Sequence, residues 1–163
     1  MKPIGSRLLR ANSTASGQPA QLSAETSRLF VYGTLLLDDV VSALIGRIPH
    51  HQHAVAPGLR VVCLPQRVYP GLIRDQGEAV GKIFTDLTDA EWTTLDAFED
   101  VAYTLTPVRV RLPLKIEMGA LSYVWRGEYV DQPWSIADFG RDELINYLDR
   151  CRSWRRRYEQ RSS

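Results

Sequence analysis

Glu99 is the residue whose type and position most suggest chemistry. It closes the segment Thr88–Glu99, TDAEWTTLDAFE, which reads as an amphipathic helix. At 100° per residue, Glu99 lies about 20° from Trp92 and about 40° from Leu95 on the helical wheel, inside the apolar stripe. An acid placed there faces the interior. Burial disfavours its charged form and moves its pKa toward the range useful for proton transfer. Asp96 and Asp100 flank it at more exposed angles and read as solvated. Tyr103 lies four positions beyond Glu99 and can bring a hydroxyl beside it; the plainer reading is a core aromatic.

The second candidate is the bend Tyr32-Gly33-Thr34-Leu35, where the apolar run LFVY stops abruptly. It fits neither GxxxxGK[ST] nor GxGxxG, so it is no phosphate loop. Functionally, Gly33 lets backbone approach a ligand and the following amides cradle an anion, a carboxylate as readily as a phosphate. Structurally, it is a turn that ends a strand. His50, His51 and His53 include an H-x-H pair but have no acid or cysteine close by, so they read as a solvated loop with no metal. There is no GxSxG elbow for a nucleophile triad. Arg152, Arg155, Arg156, Arg157 and Arg161 surround Trp154 and Tyr158. That mixture can bind nucleic acid, but cations also stabilise a helix C-terminus and lie over aromatic surface, which is the preferred reading.

Composition narrows the field. The chain has 163 residues, 44% hydrophobic and 24% charged, with net charge +1, as expected of a soluble globular protein. A neutral body gives no electrostatic reason to bind nucleic acid or an anionic membrane. No apolar run approaches the ~18 residues of a membrane span. Cys63 and Cys151 are far apart and form no CxxC, so they read as two reduced, buried thiols in a cytoplasmic protein. Met1–Ser27 is rich in Ser, Ala, Thr and Gln and lacks the apolar core of a secretory signal, so it reads as a disordered tail. A single domain is expected over residues 28–163.

The elements that must position Glu99 and the glycine bend follow from periodicity. Leu29–Tyr32 reads as a buried strand and Leu36–Ile45 as a short helix ended by Gly46. A strand is expected around Leu59–Leu64 after a Pro57-Gly58 turn, then a tight loop over Val68–Ile73 and a strand over Glu78–Leu87. Thr88 and Glu91 form a capping box at the start of the Glu99 helix. Ala102–Leu114 contains a strand with Val108, Val110 and Leu112 on one face and Arg109 and Arg111 on the other. Met118-Gly119 marks a turn before the strand Leu121–Trp125. A last helix runs from about Ala137 to Tyr158, with Leu144, Leu148, Cys151 and Tyr158 on one stripe. Strands separated by turns, with few crossover helices, predict an α+β fold: a mostly antiparallel sheet curled toward a barrel, with helices outside.

These residues carry a family resemblance. Phe30-Val31-Tyr32-Gly33-Thr34-Leu35, Tyr69-Pro70-Gly71-Leu72, Val80-Gly81-Lys82-Ile83-Phe84, Leu95-Asp96-Ala97-Phe98-Glu99-Asp100 through Tyr103, and Ser122-Tyr123-Val124-Trp125 occur in an order that resembles the gamma-glutamylcyclotransferase-like superfamily. The final helix, with Tyr147-Leu148 and Cys151, is similar to that of its avirulence-induced branch. The resemblance implies a small, mixed β-barrel with flanking helices. It implies Glu99 as catalytic acid/base, and Tyr32, Gly33, Thr34, Leu35, Gly71 and Tyr103 as substrate-binding residues. The implied reaction releases 5-oxoproline and an amine from a small-molecule γ-glutamyl substrate, with no cofactor and no metal. The Gly33–Leu35 amides then bind either the substrate's α-carboxylate or the developing oxyanion. A binding module of the same fold without turnover is the alternative.

Overall fold

The computed structural model describes residues 27–162. The tail expected over Met1–Ser27 lies outside the described residues apart from Ser27. Six strands form one sheet: β1 (Leu29–Val31), β2 (His51–Cys63), β3 (Gly71–Phe84), β4 (Tyr103–Arg111), β5 (Glu117–Trp125) and β6 (Val130–Pro133). β1 pairs antiparallel with β3 and parallel with β5, and β5 pairs antiparallel with β4. β4 meets β2 at Arg111 and Val55, and the long β2–β3 ladder closes the ring. The result is a five-stranded barrel, mixed but mostly antiparallel, with β6 added outside it on β2.

A five-stranded barrel has a narrow interior that side chains must fill. Here Phe30 enters from β1 and Tyr32 from just beyond its end, and Ala54, Ala56, Ala79 and Ala120 make room for them. Val108, Val110 and Leu112 fill the same space from β4 and its end, as their alternation with Arg109 and Arg111 predicts. Gly81 is obligatory, because a Cβ there would sit 2.0 Å from the Val31 carbonyl oxygen and 3.0 Å from the Phe30 ring.

The other face of β1 and β5, carrying Leu29, Val31, Leu121, Tyr123 and Trp125, packs under helices. These are α1 (Asp38–Ile45), α2 (Asp89–Phe98), α3 (Ile136–Phe139) and α4 (Arg141–Ser162). α1 ends at Gly46 in the left-handed conformation, φ 81°. The capping box that opens α2 is present, with the Glu91 amide donating to Thr88 Oγ1 and the Thr88 amide to Glu91 Oε1. α4 is tied to α1 by Arg155, whose Nη1 donates to the Leu44 carbonyl at 2.8 Å.

Several local expectations are corrected. Pro57-Gly58 is not a turn before a strand but a bulge within β2, where the register shifts and Gly58 takes φ 76°. Pairing of Val61 with Leu72 and Val62 with Gly71 draws the end of the expected Val68–Ile73 loop into β3, which stops at Phe84 rather than Leu87. Met118-Gly119 lies inside β5; the chain reverses earlier, at Pro113–Lys115, where Leu114 and Lys115 both take positive φ. The last helix is broken at Gly140, φ 74°, and α4 continues past Tyr158. His50, His51 and His53 are exposed, and the last two belong to β2 rather than a loop. Cys63 is only half-buried, because it sits where β2 borders the peripheral strand β6. Among the described residues no helix is long and apolar enough to cross a membrane, and no cluster of three His, Cys, Asp or Glu could hold a metal.

Candidate functional site

β1 ends at Val31, and the chain leaves the barrel through Tyr32-Gly33 into a 3-10 turn, Thr34–Leu36. The turn closes when the Leu36 amide donates to the Gly33 carbonyl. The amides of Gly33, Thr34 and Leu35 precede that first bond, so helical geometry gives them no intrahelical acceptor. A cavity of about 160 Å³ opens beside this bend, and Glu99, Tyr103 and Tyr147 line it together with Tyr32, Gly33, Thr34 and Leu35.

Glu99 reaches the cavity from the end of the α2 stripe on which the wheel places it. α2 ends at Phe98, and Glu99 is its C-cap, with an amide bonded to the Leu95 carbonyl and an extended ψ of 146°. The stripe it was assigned to is real, since Trp92 and Leu95 are fully buried. The acid is half-buried and lines the cavity; its φ of −66° keeps its Cβ in the helical frame, while the extended ψ redirects only the chain that follows.

The cavity wall is phenolic. Five of the seven tyrosines line it: Tyr32, Tyr69, Tyr103, Tyr123 and Tyr147. Tyr32 donates to the Tyr123 carbonyl at 2.6 Å, and Tyr103 donates to the Pro70 carbonyl. Burial pushes the Tyr32 phenol well above its usual pKa, and the charge of Glu99 adds to the effect. Tyr103 is raised by burial, then by the neighbouring Tyr32 and Glu99. Tyr147 is raised by burial and by Cys151 and Glu99. These hydroxyls therefore remain neutral hydrogen-bonding groups in the wall that carries Glu99.

Two flanking acids differ from their solvated reading. Asp96 is half-buried and accepts from the Tyr123 hydroxyl. Asp100 lines the cavity, accepting from the Tyr69 hydroxyl at 2.7 Å, the Ala102 amide at 3.0 Å and Arg67 Nε at 3.2 Å. Burial opposes its ionisation, but the Ala102 amide, Tyr69 and Arg67 together hold it below the usual carboxylate range.

The two motif glycines are packing positions. A Cβ on Gly33 would meet Pro70 Cγ at 2.6 Å, so the close approach it permits is to Pro70. Gly71 is not brought to the cavity: a Cβ there would lie 2.8 Å from the Trp125 Cβ and 2.9 Å from Leu64 Cδ2. Residue reading alone also missed Asp100, Tyr69, Tyr123, Tyr147 and Arg150, all of which line the cavity. The usable signal for the last two was their spacing of three on α4 beside the buried Leu148 and Cys151, which puts them on one helix face.

Comparison with known proteins agrees with this architecture. The family described as "Gamma-glutamyl cyclotransferase, AIG2-like" matches residues 29–160. AIG2-like protein C of Arabidopsis thaliana is 40% identical over 102 residues, covering 61% of this chain and 59% of that protein. The chain thus spans about three fifths of this relative's length. A solution structure of an Arabidopsis thaliana protein superposes with a TM-score of 0.60 at 23% identity, covering 86% of this chain and 96% of the other. A structure named gamma-glutamyl cyclotransferase superposes with a TM-score of 0.55 at 17% identity, covering 63% and 68% of the two chains. At these identities the superpositions bear on fold alone. With its match extending from β1 nearly to the end of α4, the chain belongs to the gamma-glutamyl cyclotransferase, AIG2-like family.

Proposed function

We propose that the cavity converts a γ-glutamyl amine or γ-glutamyl peptide to 5-oxoproline and a free amine. The observation that carries this reading is that Glu99 faces the same small cavity as the Gly33–Leu35 bend. Family membership supports cyclotransferase-type chemistry. The two free thiols, Cys63 and Cys151, suit the cytoplasmic setting we assign to it.

The reaction needs no enzyme nucleophile. The substrate's α-nitrogen attacks its own γ-amide carbonyl, forming the lactam C–N bond as the amide C–N bond breaks. Holding the substrate folded supplies much of the barrier reduction, because the attack is intramolecular. The α-ammonium must lose protons and the departing nitrogen must gain them; two move in all, and Glu99 relays them. The amides of Gly33, Thr34 and Leu35 hold the α-carboxylate beside Glu99. Tyr103 contributes to the wall, its hydroxyl committed to the Pro70 carbonyl. No metal or organic cofactor is required by this sequence of steps.

The test is 5-oxoproline release from a panel of γ-glutamyl amines and peptides, with Glu99→Gln as the diagnostic variant. Loss of proton relay is expected to lower kcat about 10²–10⁴-fold. Absence of product from every compound, or undiminished turnover by the variant, refutes the reading.

A further inference from the structure

Arg150 is the one cation among the described residues that line the cavity. It is exposed at the mouth, one turn after the buried Tyr147 and next to the buried Cys151, so α4 holds its backbone firmly. Its guanidinium carbon lies 5.7 Å from the Tyr69 ring centroid and 5.8 Å from that of Tyr147. Among the described residues no carboxylate pairs with it, whereas Arg67, which donates to the Tyr69 hydroxyl, is paired with Asp100. Cation–π contact with two rings does not consume the guanidinium's N–H donors. Those donors are the part of arginine matched to a planar carboxylate.

Size assigns the partner. A cavity of about 160 Å³ is close to one that encloses a benzene-sized molecule. A γ-glutamyl group therefore fills it, with its ammonium at Glu99 and its α-carboxylate at the bend. Whatever is attached through the γ-amide must lie at the mouth. We infer that Arg150 is a specificity-determining residue that binds an anionic group on the departing amine, so that the substrates are γ-glutamyl compounds whose leaving group carries a carboxylate. The inference rests on the proposed cyclotransferase reading and adds to it the identity of the leaving group.

The probes are γ-glutamyl-alanine and its neutral isostere γ-glutamyl-alaninamide. The wild-type protein is expected to favour the anionic compound in kcat/KM by about tenfold or more, the scale of a charge-assisted bidentate contact at a partly exposed site. Arg150→Gln should collapse that ratio toward one, Arg150→Lys should restore part of it, and Arg150→Glu should invert it. Equal losses for both compounds, or an unchanged ratio, overturn the inference, since an arginine on the α-carboxylate or in a purely structural role would affect both alike. Binding of the same two compounds to Glu99→Gln and to Glu99→Gln/Arg150→Gln, followed by calorimetry, separates the two failures. If no compound turns over but Arg150→Gln still removes a preference for the anionic ligand, the cyclotransferase reading fails and the anion contact stands. If turnover occurs with no preference, the contact alone is wrong.

Discussion

Thr34 Oγ1 donates to the Tyr147 hydroxyl at 3.3 Å, joining the bend after β1 to α4 across 113 residues of sequence. Both groups are buried, and both line the cavity. The C-terminal helix is therefore a wall of the site. Tyr147→Phe removes the acceptor and leaves the Thr34 hydroxyl without it, at a cost of about 1–3 kcal/mol for a buried polar group. Chemical denaturation should register that loss, and KM for a γ-glutamyl substrate should rise because the bend is no longer braced.

Gly33→Ala should be worse than its small size suggests. The new methyl would sit 2.6 Å from a proline ring carbon that cannot rotate away, so the bend or Pro70 must shift. Overpacking of this kind costs about 1–3 kcal/mol, and 5-oxoproline formation should fall with it. Gly71→Ala strains the Trp125 and Leu64 contacts instead. It should lower the melting temperature with a smaller effect on catalysis, which a paired thermal melt and activity assay can separate.

Asp100→Asn tests the carboxylate that follows Glu99 in sequence and lines the same cavity. Because the folded pKa of Asp100 is depressed, its contribution to stability is present above the unfolded value of about 3.9 and is lost as pH falls through the folded pKa. The variant should be about 1–3 kcal/mol less stable at pH 7. The gap between variant and wild type should narrow progressively as unfolding is measured below about pH 4.

The two thiols should differ sharply in reactivity. Burial, followed by the charge of Glu99 among smaller influences, pushes Cys151 up to about 12, while Cys63 is half-exposed. Iodoacetamide at pH 8 should alkylate Cys63 at least tenfold faster, as read by mass spectrometry. For Cys151 the raised folded pKa means stability is complete below the unfolded thiol value of about 8.5 and declines as pH rises toward the folded value. Cys151→Ala should therefore flatten the alkaline side of a stability–pH profile.

Local pattern was enough to specify the parts of this protein whose causes are local. The β1 strand, the Gly46 stop, the Thr88–Glu91 capping box and the Val108–Val110–Leu112 face all depend on residues within a turn or two of one another. Length of strand and place of turn were less legible, because β2 and β3 are held in register by each other across a long ladder rather than by their own sequences. The site followed the same division. Glu99 and the Tyr32–Leu35 bend could be singled out from residue type and spacing, and helix periodicity fits the acid's direction, because its φ of −66° and its amide bond to the Leu95 carbonyl carry the helical frame through Glu99. The company it keeps was decided only in three dimensions: closure of the barrel and docking of α4 bring Tyr69, Asp100, Tyr147 and Arg150 to one cavity. Side chains separated by scores of residues converge through long-range packing, and no periodicity along the chain records that convergence.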